Sequence, residues 1–365
     1  MKLSRTLAFS RKETLEIVRD PITVWIAVFM PLVILFLFGY ALSFDVEEAP
    51  LVVVDHDRSA ASRALADQFV NTSYFRLAAS PQSEGEAEHL VMRGKARAVL
   101  VIPPDFGRRL RKGEDAPVEF LVDGTYASTA AIVSAYGRAI IHAFPKGTLD
   151  LPVQPQVRVW YNPQLRSRDF IVPGLFAVIL MAFPPLLTAL AVAREKELGT
   201  IAQIYASPLG KFEFIVGKLL PYALIAFAQL ALVLAAGFLW FKVPMHGSFA
   251  LLIALGALYV ICTVSIGLLV STLVKTQVAA MLVTLILTLM PAFLFSGFIY
   301  PVFTMPELFQ GYSARVPAMY FVNISRGIVM RGAGLADLWF NVAVLVGYTA
   351  VVLGLSSLLF NKRIA

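Results

Sequence analysis

Six long stretches without charged residues limit what this chain can fold into. An α-helix crosses the apolar core of a bilayer with about 20 consecutive apolar residues. The stretches that are long enough to do so are residues 21–44, 170–193, 219–241, 249–273, 278–298 and 338–361. The chain as a whole, with 58% hydrophobic and 15% charged residues, has the composition of an integral membrane protein and not of a soluble enzyme. We therefore predict an α-helical polytopic membrane protein with six transmembrane helices.

The distribution of lysine and arginine predicts the orientation in the membrane. Short cytoplasmic loops carry an excess of these residues, and the basic residues of segments 1–20, 194–218 and 362–365 fall on one side if the helices alternate. We therefore expect both termini in the cytoplasm and residues 45–169 on the opposite side of the membrane. Three arginines of the second outer segment mildly oppose this distribution: Arg315, Arg326 and Arg331. The first stretch exceeds the roughly 7–15 residues of a signal-peptide core, so we expect it to remain as a spanning helix.

Two regions outside the spanning stretches have patterns of their own. Residues 1–20 mix apolar and basic side chains, which favours an interfacial (elbow) helix on the cytoplasmic leaflet. Asp20-Pro21 is typical of an N-cap followed by proline in the first helical turn, so a bend into the first spanning helix is expected there. In residues 45–169, short β-type runs alternate with helical segments, which predicts an inserted extracytoplasmic α/β domain. Residues 362–365 form a short cytoplasmic tail.

Residues 291–332 combine prolines, glycines and an aromatic cluster near the predicted outer surface. Pro291 and Gly297 interrupt the helical pattern, and non-helical backbone at membrane depth must be buried in protein or line a cavity. Two interpretations fit equally well. One is a re-entrant hairpin that extends to about Gly332, and the other is a kinked helix followed by an ordinary loop.

The residues that usually carry chemistry are absent or scattered. The chain has no G-x-x-x-x-G-K-[ST] and no G-x-G-x-x-G motif, so we expect neither ATP nor a dinucleotide to bind to it. The four histidines lie far apart, and Asp55-His56-Asp57 after a β-type run is typical of a polar turn. The single cysteine, Cys262, lies in an apolar stretch. We predict no catalytic residue, cofactor or metal site in this chain, and no nucleic-acid partner despite the net charge of +7.

Charged residues are also rare in the interior of the predicted bundle. From residue 219 to residue 306 only Lys242 and Lys275 are charged, and both fall at predicted helix ends. Ion-coupled transporters usually place ionisable side chains at depth, so this pattern argues against a secondary transporter. The polar residues at depth, which include Thr284 and Thr288, fit either hydrogen bonds between helices or a substrate path.

A short charged segment between the second and third spanning stretches carries a family resemblance. Residues 193–209 resemble the cytoplasmic loop of ABC-2-type permeases, the membrane subunits of type V ABC exporters: charged residues, then Gly-Thr, a short apolar helix and Ser-Pro-Leu. Residues 160–174, 295–301 and 317–327 resemble further stretches of the branch with a large ectodomain between the first two membrane helices. The matches occur in the family's order, and the resemblance covers essentially the whole chain.

The resemblance implies an exporter in which ATP is hydrolysed on separate subunits. This chain is then a transport subunit and not an enzyme. ATP and Mg²⁺ bind to ABC ATPase subunits, and a second permease half, identical or paralogous, completes the transporter. Segment 194–211 is then the coupling loop that docks on the ATPase. The residues with this implied role are Arg194, Glu195, Lys196, Glu197, Gly199, Thr200, Ile201, Ile204, Tyr205 and Pro208.

The same resemblance implies alternating access, with a path along the second and fifth membrane helices. The candidate path residues are Phe176, Phe183, Thr284, Thr288 and Phe293, and the candidate outer-gate residues are Phe295, Gly297, Phe298 and Tyr300. An apolar, aromatic path suits hydrophobic or amphipathic cargo, such as drug-like or lipid-like molecules. Membrane lipid and a periplasmic adaptor protein are the further partners to expect.

A second function stays open on the sequence alone. The chain also fits a membrane-anchored binding or sensory protein that acts through its ectodomain and needs no ATPase. That alternative leaves five of the spanning helices and residues 291–332 without a role.

Overall fold

The chain divides into two compact units in the computed structural model. The residues that the structure describes are 3–42, 48–125, 127–144, 166–200 and 210–359. One unit, here called the membrane unit, comprises Met1–Ser43 and Trp160–Ala365, and the other, here called the sheet unit, comprises Phe44–Val159.

The elements are numbered in chain order. The helices are α1 (Leu3–Arg19), α2 (Pro21–Ala41), α3 (Ala60–Val70), α4 (Glu84–Met92), α5 (Phe106–Lys112), α6 (Ala127–Ala143), α7 (Ser167–Glu197), α8 (Lys211–Ala235), α9 (Phe249–Leu273), α10 (Gln277–Phe295), α11 (Glu307–Ser313), α12 (Pro317–Arg331) and α13 (Leu335–Leu359). A π-helical turn, Ala236–Trp240, extends α8, and a 3₁₀ turn, Val302–Thr304, precedes α11. The strands are β1 (Ala49–Asp55), β2 (Phe75–Ala79), β3 (Ala98–Ile102) and β4 (Glu119–Val122).

Six helices of the membrane unit are long and apolar enough to cross a bilayer, as predicted: α2, α7, α8 with its π-helical turn, α9, α10 and α13. A helix that is apolar all round is buried in protein or in lipid. Within this set α7 is the helix enclosed by protein, because 89% of its apolar 18-residue stretch is buried, against 22% of the corresponding stretch of α2. It packs against α2, α8, α9, α10 and α12, and so forms the centre of the unit.

The bend between α1 and α2 has the predicted cap. Asp20 Oδ1 accepts hydrogen bonds from the backbone N–H groups of Ile22 (3.1 Å) and Thr23 (3.4 Å), and Pro21 stands in the first turn of α2. The amino-terminal segment is helical, as predicted, and packs along α8. The location of α1 at the membrane surface stays a prediction.

Two predicted helix boundaries need correction. α7 ends at Glu197 and not at residue 193, so residues 194–197 belong to its last turn and not to a loop. α8 begins at Lys211 and not at residue 219, which places Lys218 inside the helix. Both predictions stopped at charged residues because hydropathy alone does not show that these side chains have partners within the protein.

A short irregular stretch and two further helices follow α10. The helix α10 continues through Pro291 and ends at Phe295, after which Gly297 takes a left-handed φ of 79°. The 15-residue helix α12 is largely buried and packs against α7 and α13. Both interpretations of residues 291–332, the re-entrant hairpin and the kinked helix followed by a loop, therefore stay predictions.

The sheet unit is the predicted α/β domain. Its strands have the order β2-β1-β3-β4, with β1 parallel to β2 and β3, and β4 antiparallel to β3. All residues of β3 are buried, which explains the uninterrupted apolar run of its sequence. The predicted polar turn is present, because Asp55 Oδ1 accepts hydrogen bonds from the N–H groups of Asp57 (3.0 Å) and Arg58 (2.9 Å). The last of the β-type runs in residues 45–169, at residues 157–161, also predicts a strand, and it lies outside the described residues.

One glycine allows α7 and the end of α8 to approach closely. Gly237, in the π-helical turn, faces the ring of Phe176, and a methyl group on Gly237 would lie 2.5 Å from Cζ of that ring. Phe176 is fully buried and also contacts the ring of Phe238, with 6.1 Å between the ring centroids. This contact therefore requires a residue without a side chain at position 237.

We expect Gly237→Ala to lower the free energy of unfolding by about 1–3 kcal/mol, because the added methyl group overpacks a closed core. Gly354→Ala in α13 is the matched control, since no atom lies within 4 Å of its added methyl group. Helix propensity alone favours alanine in both variants. Thermal unfolding of the detergent-solubilised protein should give a lower Tm for Gly237→Ala than for Gly354→Ala, and equal Tm values would contradict the packing described.

Candidate functional site

The last turn of α7 carries four consecutive charged residues, Arg194, Glu195, Lys196 and Glu197. An α-helix has 3.6 residues per turn, so four consecutive side chains point in directions that surround the helix axis. Each of the four makes a polar contact with a different part of the membrane unit. These residues and their partners are called the α7 hub below.

Arg194 joins α7 to the bend between α1 and α2. Its Nη1 lies 2.7 Å from Asp20 Oδ2, while the other oxygen of Asp20 caps α2. Burial acts to raise the pKa of Asp20, but hydrogen bonds from Thr23, Arg194 and Ile22 lower it below its usual value. The Asp20 carboxylate is therefore charged at neutral pH and holds both the cap and the arginine.

Glu195 joins α7 to α8 and α1 through buried charges. Its Oε2 lies 2.9 Å from Lys218 Nζ, and Lys218 Nζ lies 2.7 Å from Glu13 Oε2. The Lys218 side chain is only 1% exposed, and both carboxylates are also buried. A buried ion loses its hydration, so such a group is stable only when an opposite charge compensates it. Lys218 is therefore the ion that holds three helices together.

Lys12 closes the same cluster from its more exposed side. Its Nζ lies 3.2 Å from Glu195 Oε1, 3.2 Å from Glu13 Oε1 and 3.0 Å from Glu16 Oε2. Partial burial acts to lower the pKa of Lys12, but the three carboxylates raise it above its usual value. Oxygens of the three glutamates lie within 4.8 Å of one another, as in a metal site. The Lys12 ammonium already occupies that position, so the cluster is an ion-pair network.

Lys196 caps the carboxyl end of α9. Its Nζ donates hydrogen bonds to the carbonyl oxygens of Ser271 (2.5 Å), Thr272 (3.3 Å) and Val274 (3.1 Å). The last carbonyls of a helix have no partner within the helix and carry a partial negative charge, which favours a cation there.

Glu197 caps the amino end of the next helix, α10. Its Oε2 accepts hydrogen bonds from the backbone N–H (2.8 Å) and the side-chain Nε2 (3.2 Å) of Gln277, the first residue of α10. A carboxylate at this position complements the partial positive charge of a helix amino terminus. Lys196 and Glu197 thus hold the two sides of the short α9–α10 connection.

The α7 helix ends directly after the hub. Gly199 has a left-handed φ of 73°, the conformation that commonly terminates helices, and its N–H donates to the carbonyl of Lys196 (3.2 Å). Thr200 Oγ1 donates to the carbonyl of Glu195 (3.3 Å). The remaining predicted coupling residues lie outside the described residues: Ile201, Ile204, Tyr205 and Pro208. A coupling role for the whole segment stays a prediction.

The predicted path residues occupy different environments. Phe176 and Phe183 of α7 are buried within the chain. Thr284 and Thr288 are also buried, and Thr288 Oγ1 donates to the carbonyl of Thr284 (2.7 Å), a bond within α10. Phe293 contacts the ring of Phe38, with 5.0 Å between the ring centroids. The bond of Thr288 lies within its own helix and is not a hydrogen bond between helices, and Thr284 Oγ1 has no hydrogen-bond partner among the described residues. Both the packing role and the path role of these hydroxyl groups therefore stay predictions.

The predicted outer-gate residues are only partly brought together. Phe298 is 1% exposed and contacts the ring of Phe293 at a centroid distance of 5.5 Å, whereas Tyr300 is 65% exposed. Phe295 stacks on the ring of Phe309 at 5.5 Å. The left-handed Gly297 connects this aromatic group to the end of α10.

Sequence reasoning missed three residues that have central positions. The sequence pattern places Lys218 in the loop before the third spanning stretch and Glu13 in the interfacial helix, although both are buried in the α7 hub. Arg326 was assigned to an outer loop, although its guanidinium contacts the backbone of three residues. For Arg326 the available signal was an arginine inside an apolar helical pattern, which usually marks a structural or functional role.

We expect Lys218→Met to destabilise the fold by about 3–5 kcal/mol, because the two buried carboxylates lose their buried counter-ion and keep only the more exposed Lys12. Lys242→Met is the matched control, since Lys242 is exposed. Thermal unfolding of the solubilised protein is the measurement. An equal Tm for the two variants would show that the Lys218 ion pairs contribute no stability.

Known proteins that are similar to this chain match it along almost its whole length. The family of ABC-2 family transporter proteins matches residues 21–358. The "Probable multidrug ABC transporter permease YbhS" of Escherichia coli (strain K12) is 30% identical over 368 residues, which cover 99% of this chain and 97% of that protein. "Probable multidrug ABC transporter permease YbhR" of the same strain is 31% identical over 359 residues, 97% of each chain.

A third relative from the same bacterium is more distant. "Inner membrane transport permease YhhJ" of Escherichia coli (strain K12) is 28% identical over 330 residues, which cover 87% of this chain and 86% of that protein. The family match and the coverage of these relatives agree with the six apolar helices and the α/β insertion. This chain therefore belongs to the ABC-2 family of transporter proteins, as an integral membrane permease.

Proposed function

We propose that the chain is the permease half of an ATP-driven exporter in the inner membrane, with both termini in the cytoplasm. Its cargo is a hydrophobic or amphipathic compound, drug-like or lipid-like. Family membership supports this proposal, as does the fact that two relatives are named probable multidrug ABC transporter permeases. ATP and Mg²⁺ bind to separate ATPase subunits, and a second permease half, a copy or a paralogue, completes the transporter.

The observation that carries the proposal is the α7 hub. The segment that begins at Arg194 docks on the ATPase, and the hub connects the start of that segment to α1, α8, α9 and α10. A displacement of this segment therefore moves the ends of four other helices together with α7. No residue of the hub needs to bind nucleotide for this role.

Alternating access requires that α7 changes shape, and its prolines supply the means. Pro173, Pro184 and Pro185 lie inside the helix, where proline removes a backbone hydrogen bond and weakens the helix locally. The hydroxyl group of Thr188 donates to the carbonyl of Pro184 (2.9 Å) at this weakened position. We propose that α7 bends at Pro184-Pro185, so that motion of the hub opens the path next to Phe183.

A first test measures transport directly. Inverted membrane vesicles that contain the chain and its co-purified ATPase subunits should accumulate the lipophilic dye Hoechst 33342 when ATP is added. The uptake should persist with a protonophore, because ATP and not an ion gradient drives it. Dye movement that follows a proton gradient after ATP depletion would indicate a secondary transporter. A chain that purifies without any ATPase would favour the binding or sensory alternative.

A second test addresses the hub. Lys196→Met should insert and fold, and the ATPase should still hydrolyse ATP, but dye transport per ATP should fall about tenfold. A hydrogen bond to a charged group contributes about 1.5–3 kcal/mol, and tenfold corresponds to about 1.4 kcal/mol. Lys242→Met, on an exposed lysine outside the hub, is the control. Equal transport per ATP in both variants would show that the contact of Lys196 with α9 does not contribute to the coupling of ATP hydrolysis to transport.

A further inference from the structure

Arg326 of α12 binds backbone carbonyl groups of two other segments. Its Nε donates to the carbonyl of Phe170 (3.0 Å), its Nη1 to that of Gly297 (2.8 Å) and its Nη2 to that of Phe298 (2.8 Å). The guanidinium also lies over the ring of Phe170, 3.5 Å from the centroid. Within the described part of the chain no carboxylate lies at ion-pair distance, so carbonyl groups and an aromatic ring hold this charge.

The three carbonyl groups belong to two segments with different roles. Phe170 lies in the first turns of α7, the helix enclosed by the rest of the membrane unit. Gly297 and Phe298 follow the end of α10, where backbone acceptors have lost their helical partners and need donors from elsewhere. The planar guanidinium supplies donors in three fixed directions, which a lysine ammonium on its flexible stem does not reproduce.

The contact between these segments is close. A methyl group on Gly174 would lie 2.7 Å from Arg326 Nη2 and 2.7 Å from Cδ2 of Phe298. Side chains from α12 and from the segment after α10 therefore both pack against α7 at Gly174. The neighbouring residue on α12 adds a second connection, since Ser325 Oγ donates to the carbonyl of Pro173 (2.8 Å). Among the described residues, Ser325 donates hydrogen bonds to α7 and to its own helix, whereas Arg326 donates to both α7 and the segment after α10.

We propose that Arg326 is the positioning residue that holds the outer gate closed against the outer end of α7. The gate is the segment with Phe295, Gly297, Phe298 and Tyr300, and the inference rests on the exporter function proposed above. The guanidinium bridges Phe170 to Gly297 and Phe298. When α7 bends, the Phe170 carbonyl moves relative to the other two, the bridge breaks, and Phe298 loses its cover.

The test measures the exposure of Phe298 and needs neither cargo nor ATPase. Cys262, the single cysteine, is first replaced by alanine, and Phe298→Cys is then labelled in intact cells with a membrane-impermeant maleimide. With Arg326 present this cysteine should be protected, because position 298 is 1% exposed. With Arg326→Lys or Arg326→Gln its labelling rate should rise about tenfold, equivalent to about 1.4 kcal/mol of closing free energy.

Two controls distinguish a specific role of Arg326 at the gate from a general destabilisation of the fold. Ser325→Ala removes the adjacent α12–α7 hydrogen bond and should leave the cysteine at 298 protected. A cysteine at Val178, which is fully buried in the middle of α7, should stay unreactive in every background. The proposal is overturned if the cysteine at 298 stays protected without Arg326, if Ser325→Ala exposes it equally, or if the cysteine at 178 also becomes reactive.

The labelling result is independent of the exporter assay. If Arg326 variants expose position 298 while vesicles show no ATP-driven dye uptake, the gate geometry holds and the proposed cargo or energy source is wrong. If uptake is ATP-driven and position 298 stays protected in the variants, the exporter function holds and the role of Arg326 is wrong.

Discussion

The burial of α7 is the constraint on which the rest of the membrane unit depends. Five neighbouring helices enclose this helix, so a charged side chain along its middle would lose its hydration without compensation. Most of the polar contacts described above lie at its two ends, while in the middle the carbonyl of Ala177 accepts a hydrogen bond from Tyr259 Oη of α9 (2.9 Å). At one end lie Arg194, Glu195, Lys196 and Glu197, and at the other the carbonyl groups that accept hydrogen bonds from Arg326 and Ser325.

The two ends differ in how firmly they are attached. The hub uses full charges in a buried network around Lys218, and breaking such a network leaves an ion without compensation. The opposite end uses one cation on neutral carbonyl groups, and a carbonyl that loses the arginine can accept a hydrogen bond from water instead. This difference agrees with the proposal that the contacts of Arg326 break when the gate opens, while the hub stays attached.

The sequence predicted the architecture well and the contacts poorly, for a physical reason. Hydropathy and cap patterns act over neighbouring residues, so the six spanning helices, the α/β unit and the Asp20 cap were accessible without a structure. The partners of Glu195 were not, because Lys12 and Lys218 come from other helices and nothing local encodes which helix faces another. Charge alone made residues 194–197 look like a loop, although Gly199 two residues later is a typical helix end.

The pairing of Glu13 with Lys218 has a consequence for how the protein is made. The two residues are about 200 positions apart in sequence, and at 5–20 residues per second synthesis of the intervening chain takes on the order of tens of seconds. During that interval α1 and α2 already exist, and of the two ammonium groups that pair with Glu13 only that of Lys12 has been synthesised. The contacts of α1 with α8 therefore form only after α8 has been made, and a truncated chain without α8 leaves α1 without the helix against which it packs.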